Sequence, residues 1–474
     1  MTFYFYDLET SGINPRASRI MQFGGQRADM NLKPIGEPDN ILIKMTPDIL
    51  PDPEAVLITG ITPQTTLTNG ISEAEFLKYF SESIAMPNTV FVGYNNVRFD
   101  DEFIRFTLWR NFYDSYEWQW KEGRSRWDLL DLARMTRALR PEGIEWPFAS
   151  DGKPSNRLEL LTSVNKLEHD GAHDALSDVR ASLAVARLIM NKQTKLFEYL
   201  LNLRNKTNVA VLVGKGQPVV YSSGRYPSEY EKTTIAVMVG PHPGRNAALM
   251  YDLRIDPDEF TGLTPKQLVA LWQLRGKDAP YFPVKALSYN RCPAVAPFSV
   301  LDVKSANRLG IDSAKIDANL KKLLKAKDFG DKLAAAEEII RPTAQPELIA
   351  DEQRVDGQLY DGFVNNADKV KMSVVRAADV DKLADLQLDF ADERLKLMLP
   401  LYKARNYPKS LNRDEQQWWE EFRAKRLLDG GANSLASLYF KRIEELASGT
   451  RASKQDKYLL EELKLYGQSV LPMV

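Results

Sequence analysis

A chain of 474 residues is too long for one ordinary hydrophobic core, and its length predicts about three domains. With 44% hydrophobic and 27% charged residues it has a globular composition, while a net charge of −1 excludes a uniformly basic nucleic-acid binder and leaves a local groove as the only place for a polyanion. One cysteine, Cys292, and three histidines exclude a disulfide framework and a cysteine-rich zinc site; with no signal-peptide pattern and no apolar run of membrane-spanning length, a cytoplasmic chain without membrane association is expected.

The first element is the stretch Phe3-Tyr4-Phe5-Tyr6-Asp7-Leu8-Glu9-Thr10. Four aromatic residues predict a strand buried on both faces, and the alternation of a strand sends Asp7 and Glu9 out on the same side. Two fixed carboxylates so close together repel unless a cation lies between them, for which a hard ion such as Mg²⁺ is suited. Among 64 acidic residues, roughly nine acid-x-acid pairs arise by chance, so the pair alone decides nothing. Strands are predicted next at 20–25 and 41–44, joined to the first as an antiparallel meander, followed by an apolar segment at 55–63 broken by Gly60 and closed by Pro63. A helix over 73–85 precedes a strand at 90–94. Asn95 or Asn96 is placed to cap the helix bearing Phe99, Phe103, Phe106 and Trp109, which puts Asp100 in its first turn.

Aromatic and basic residues interleave from Tyr116 to Trp127, and helices follow over 129–139, from near Asn156, and over 175–190. The last is the most periodic of this half, with Leu176, Val179, Leu183, Ala186 and Met190 on one face and Asp174 as its N-cap. An α/β domain over 1–203 is expected. Strand candidates at 209–213, 218–221, 233–239 and 247–253, punctuated by Gly and Pro, indicate a small antiparallel barrel, and helices from Thr264-Pro265, at 304–309, 313–326 and 331–340 complete a second, α+β unit over 204–345. The stretch 341–352 reads as a linker. The remainder, 352–474, is an all-α unit with helices at 391–402, 413–428 and 435–446. No coiled-coil repeat is present, and a monomer is expected.

Asp178 lies in the first turn of the 175–190 helix and His173 sits five residues earlier in the preceding loop, so both can face one point. His169 with Asp174 has the same spacing; His173 with Asp178 is preferred because Asp174 serves as the cap and only Asp178 is followed by an unbroken amphipathic helix. Taken together, Asp-x-Glu on a first strand, Asp100 opening a helix after a later strand, and His-x-x-x-x-Asp opening a helix near the domain's end resemble the DEDDh 3′-to-5′ exonucleases, whose fold is ribonuclease H-like. The closer resemblance is to the bacterial exonuclease I family of single-strand-specific deoxyribonucleases. It runs through Asp7-Leu8-Glu9-Thr10, Val56-Leu57-Ile58-Thr59-Gly60-Ile61-Thr62-Pro63, Gly93-Tyr94-Asn95-Asn96-Val97-Arg98-Phe99-Asp100-Asp101-Glu102, Arg126-Trp127-Asp128-Leu129-Leu130-Asp131, Leu139-Arg140-Pro141-Glu142-Gly143 and His173-Asp174-Ala175. It continues through Gln358-Leu359-Tyr360-Asp361-Gly362-Phe363 and Tyr402-Lys403-Ala404-Arg405-Asn406.

The resemblance implies a two-metal phosphodiesterase with two Mg²⁺ ions, for which Mn²⁺ substitutes. Asp7, Glu9 and Asp178 would bind metal directly, Asp100 directly or through a water, and His173 would be the general base. Thr10 would offer its N–H to the terminal nucleotide and Leu57-Ile58 would wedge against the terminal base, unless they simply pack into a core. Tyr116 and Trp120 would stack on bases while Arg105, Arg134 and Arg157 hold phosphates of single-stranded DNA. It further implies a Src-homology-3-like barrel, a helical C-terminal domain that helps to enclose the strand, and a basic pocket including Arg140 for the acidic C-terminal tail of single-stranded DNA-binding protein. An exoribonuclease on the same core and a non-catalytic DNA-binding scaffold are the competing expectations; occupied catalytic positions weigh against the second.

Overall fold

The aromatic run at the N-terminus is a strand because both of its faces have something to bury against. Phe3 and Phe5 of β1 (Thr2–Thr10) pack on one side of a sheet with Val90, Val92, Leu132 and Val179, while Tyr4, Tyr6 and Leu8 pack on the other with Phe23, Phe76, Phe91 and Trp118. The computed structural model describes residues 1–169, 174–244, 246–274, 279–341, 350–449 and 453–472. In it β1 is the centre of a mixed sheet ordered β3-β2-β1-β4-β5, with β2 (Ile20–Ala28), β3 (Asp39–Leu42), β4 (Thr89–Gly93) and β5 (Ser125–Asp128). The β1·β2 and β2·β3 pairs form the expected antiparallel meander, whereas β1·β4 and β4·β5 are parallel. A parallel pair needs a crossover, and short helices between β3 and β4 supply it.

Three helices set the site. The first, α1 (Asp100–Arg110), follows β4; α2 (Leu129–Leu139) follows β5; α3 (Ala175–Lys192) packs across β1 and β2. Asp174 caps α3 as its sequence predicts, accepting the Ser177 N–H at 3.0 Å.

The second sheet is antiparallel, ordered β10-β6-β7-β8-β9, from β6 (Val219–Ser222), β7 (Thr233–Pro241), β8 (Ala247–Asp252), β9 (Val284–Ser288) and β10 (Ala294–Pro297). Its Val220, Ile235 and Leu249 belong to the same hydrophobic cluster as Phe3 and Leu132, with α2 lying between the two sheets. The C-terminal third holds helices and connecting turns, with no strand among its described residues, and its Met398, Tyr402 and Phe422 close over Phe106, Trp109 and Phe112 at the far end of α1. Helix α1 is therefore enclosed on nearly all sides. Buried ion pairs fasten the same boundary: Arg19 to Asp356 at 2.6 Å, and Arg405 to Asp48 and Asp356 at 2.8 Å each. Removing one member of such a set leaves a buried charge uncompensated, at about 3–5 kcal/mol.

Several sequence expectations are corrected. Residues 209–213, expected as a strand, lie in a helix, Lys206–Val213. Asn205 caps it by accepting the Thr207 N–H at 2.9 Å, and Val209 and Val213, one turn apart, are the pair that is buried. Neither Asn95 nor Asn96 caps α1. Asn95 is left-handed with φ 74°, Asn96 begins a short 3₁₀ turn, and the cap position falls to Phe99, which makes no side-chain cap bond. Pro63 opens the helix Pro63–Asn69, and Gly60 ends the preceding helix, Pro53–Thr59, in the left-handed conformation at φ 70°. The 73–85 helix is α-helical over Glu73–Tyr79 and π-helical over Phe80–Ile84. Strands β5, β9 and β10, and the helices Thr194–Asn202, Asn366–Ala377 and Lys454–Val470, were not anticipated. Among the described residues no helix is long and apolar enough to cross a membrane.

A carboxylate cluster at the end of the central strand

Asp7 and Glu9 leave β1 on one face, and in the neighbouring strand Gly24 and Gln22 stand opposite them. A Cβ on residue 24 would lie 2.5 Å from the Ala175 carbonyl carbon, so only glycine lets the N-terminus of α3 come this close to the sheet. Gln22 fastens that approach: its Oε1 accepts the Ala175 N–H at 3.1 Å and its Nε2 donates to Asp174 Oδ1 at 2.8 Å. The first turn of α3 thereby delivers Asp178, and carboxylate oxygens of Asp7, Glu9 and Asp178 lie within 4.8 Å of one another.

Asp100 opens α1 beside this group. It is buried and receives hydrogen bonds from its own backbone N–H and that of Leu8. The adjacent Asp101 is differently employed, taking a hydrogen bond from the Tyr6 hydroxyl and an ion pair from Arg126 beneath the site. Asp7 and Glu9 have no hydrogen-bond or ion-pair partner among the described residues. Burial, followed by the charges of Asp100, Asp178 and Glu9, holds Asp7 well above the usual carboxylate range. Burial and the charges of Asp178 and Asp100 push Glu9 up to about 8; burial, opposed by its backbone bonds, pushes Asp100 up to about 8 as well. A set of oxygen donors disfavoured as bare anions is one that a hard divalent cation would complete.

His173 lies outside the described residues. The histidine seen at Asp178 is His169, the member of the alternative pair: its Nε2 is 2.6 Å from Asp178 Oδ1 and its Nδ1 3.0 Å from Thr162 Oγ1. Thr10 follows a β-bulge at the end of β1 and donates its hydroxyl proton to the Gly12 carbonyl at 2.9 Å. Leu57 packs with Val56 against Tyr439, Ile443 and Leu463 of the C-terminal helices, so the free apolar surface of that segment belongs to Ile58.

Two clefts carry basic side chains, and the smaller reaches the cluster. This smaller cleft of about 370 Å³ is lined by Asp7 and Asp178 together with Tyr94, Arg134, Arg157 and Lys232. Arg134 is paired with Asp131 at 2.6 Å, while the Arg157 side chain is 75% exposed. A larger cleft of about 930 Å³ brings Arg105, Tyr116 and Trp120 together with Arg98, Arg204 and Arg291. Arg105 is held by Glu102 and by Gln119 at 2.8 Å, with its guanidinium 5.6 Å from the Tyr116 ring centre, and Trp120 stands 63% exposed. Arg140 lies at the end of α2 against the second unit, paired with Asp302 at 3.4 Å and bonded to the Val300 carbonyl at 3.0 Å. Sequence reasoning missed Arg98, Arg204, Arg291 and Lys232. Arg98 lay inside a matching motif, but nothing in the local pattern marks the other three.

In comparison with known proteins, three family models match successive parts of the chain. Family models match as an exonuclease over residues 4–186, an exonuclease I SH3-like domain over 204–336 and an exonuclease I C-terminal domain over 353–470. The chain is 40% identical to exodeoxyribonuclease I of Haemophilus influenzae, covering 99% of each, and 38% identical to that of Escherichia coli, covering 99% of this chain and 98% of the relative. Three solved structures, each with coverage of 99% on both sides, are similar to it: E. coli exonuclease I with a dA16 oligonucleotide (38% identity, TM-score 0.92), a zinc-bound E. coli complex with single-stranded DNA (37%, 0.92), and exonuclease I with single-stranded DNA-binding protein and an inhibitor (37%, 0.88).

Proposed function

Because the chain belongs to the exodeoxyribonuclease I family, we propose that it hydrolyses single-stranded DNA from the 3′ end to nucleoside 5′-monophosphates, with Asp7, Glu9 and Asp178 as direct ligands of two divalent cations and Asp100 completing the set. The observation that carries this reading is the cluster itself: three carboxylates within 4.8 Å of one another, two of them without a protein partner among the described residues. Oxygen donors alone suit Mg²⁺, with Mn²⁺ as a substitute. When bound, such ions neutralise charge on the scissile phosphate and make the attacking water more acidic.

The chain's own residues do the rest. His173 is the base assigned by its motif, and His169 orients Asp178 through their hydrogen bond. The Thr10 N–H and the Ile58 side chain, rather than Leu57, contact the terminal nucleotide; Arg134 and Arg157 take phosphates near the cluster. Further along, Tyr116 and Trp120 stack on bases and Arg105, already fixed by Glu102 and Gln119, presents a pre-oriented cation. Arg140 contributes to a site for the acidic tail of single-stranded DNA-binding protein, and the activity serves DNA repair and recombination.

The test is digestion of a 5′-labelled single-stranded DNA oligonucleotide with Mg²⁺ and with EDTA, beside a blunt duplex and a matched RNA. Metal-dependent shortening from the 3′ end of the single-stranded DNA alone is expected. Preference for the RNA would replace the substrate and keep the site, and intact strands throughout would overturn the reading.

A further inference from the structure

The active-site cleft is not built by one domain. Lys232 comes from the turn between β6 and β7 of the second sheet, yet it lines the same cavity as Asp7 and Asp178. The turn is firmly held. Glu231 and Lys232 are successive non-glycine residues in the left-handed region, at φ 51° and 59°, a conformation that persists only where surrounding contacts impose it. Those contacts are with α2. Buried Glu231 pairs with Arg137 of α2 at 3.6 Å and with Arg308, and Arg308 donates in turn to the Ala138 carbonyl at 2.8 Å. Gly224 lies against the Arg134 guanidinium so closely that a Cβ would be 3.0 Å from its Nη2. The backbone of Lys232 is pinned at both ends, its N–H to the Pro227 carbonyl at 3.0 Å and its carbonyl to the Ser223 N–H at 2.8 Å.

The side chain so positioned is half-buried and has no hydrogen-bond or ion-pair partner among the described residues. Burial, and the charge of Arg134 beside it, pull its pKa below the ordinary lysine value, with Glu229 the opposing charge. Arg134 already spends its acid partner on Asp131. Two cations side by side, one of them unpaired, at the mouth of a carboxylate cluster call for an anion with more than one oxygen to share between them. We propose that Lys232 is a substrate-positioning residue delivered by the second domain, whose ammonium takes a phosphodiester oxygen in the 3′-terminal region of the strand beside Arg134. This rests on the nuclease reading above. It also makes the docking of the barrel on α2 part of the active site, since the Glu231 ion pairs set the turn that aims Lys232.

The experiment measures binding of the full chain to a 3′-terminal oligonucleotide series in EDTA, so that it reads Lys232 whether or not the strand is cleaved. In Lys232→Met the affinity should fall about tenfold and the log–log salt slope should lose about 0.7, the contribution of one phosphate contact to a single strand. Lys232→Arg should restore both. Neutralising phosphates one at a time as methylphosphonates should weaken the unaltered chain at one position near the 3′ end and leave Lys232→Met indifferent to that same substitution. A purely structural role would lower affinity without this pairwise loss. A Lys232→Met variant with the unaltered salt slope and the unaltered response to every methylphosphonate would overturn the proposal, as would the same result in Lys232→Gln.

Discussion

Replacing Glu9 with Gln measures what the carboxylate cluster costs the fold when no metal is present. Burial and the charges of Asp178, Asp100 and Asp174 hold Glu9 at about 8 against an ordinary 4.5. At 1.36 kcal/mol per pKa unit, keeping it ionised at high pH has a ceiling of ~5 kcal/mol; solvent reaching the cleft and the sharing of repulsion with Asp7 and Asp178 bring this to ~1–2 kcal/mol. The folded chain binds this proton more tightly than the unfolded chain does. Stability is therefore fullest below the unfolded value near 4.5, declines as pH rises towards about 8, and is level above it. Glutamine carries no charge to repel, so in EDTA at pH 9 Glu9→Gln should melt about 1–2 °C above the unaltered protein, and the gap should close towards pH 5. Saturating Mg²⁺ should reverse the order, because a cation at 100 times its Kd stabilises the intact cluster by about 2.7 kcal/mol and the depleted one by less. Thermal unfolding across pH 5–9 with EDTA and with Mg²⁺ is the assay. A variant that melts below the unaltered chain in EDTA at pH 9 would refute the claim that these carboxylates are strained for want of a cation.

Three further outcomes follow from the same geometry. Asp7→Ala should reduce turnover by at least about a thousandfold while leaving single-stranded DNA affinity within a few-fold, since affinity resides in phosphate and stacking contacts elsewhere; wild-type rates in this variant would remove Asp7 from the ligand set. Trp120→Ala should weaken binding by about 1–3 kcal/mol with little effect on the single-turnover cleavage rate, as expected of an exposed stacking platform, and an unchanged Kd would take Trp120 off the strand's path. Arg140→Ala should lower the affinity for a peptide bearing the acidic tail of single-stranded DNA-binding protein, and should flatten its salt dependence, while hydrolysis of free oligonucleotide is unaffected. Undiminished peptide affinity would remove that assignment.

The parts of the site that the sequence displayed are those where a single residue and a local rule suffice. Alternation along β1 places Asp7 beside Glu9, and the cap at Asp174 fixes the turn from which Asp178 projects. What brings the two groups together is less visible, because it depends on residues that look ordinary. Gly24 and Gln22 lie in a strand whose apolar pattern gives no sign that one must be small and the other must reach across to α3. The misassigned 209–213 run illustrates the same limit: its β-branched residues favour a strand, and the Asn205 cap with burial every fourth residue makes it a helix.

Charge carries the least information before the fold is known. Asp100 and Asp101 are identical neighbours in sequence, and tertiary partners alone separate them: Arg126 and Tyr6 satisfy Asp101, while Asp100 is left facing the other carboxylates. The arginines divide similarly. Arg19 and Arg405 are consumed by Asp48 and Asp356 in joining the first and last units, Arg110 by Glu73 and Arg98 by Asp131, whereas among the described residues lining the clefts Arg204 and Arg291 form no ion pair and exposed Arg157 only a loose one, 4.0 Å from Glu159. A net charge of −1 is thus compatible with basic grooves, because acids are spent in buried pairs and in the carboxylate cluster while a minority of bases is left to line them. Lys232 belongs to that minority, and its presence beside Asp7 is decided by how the second sheet docks on α2 rather than by anything within the residues that flank it.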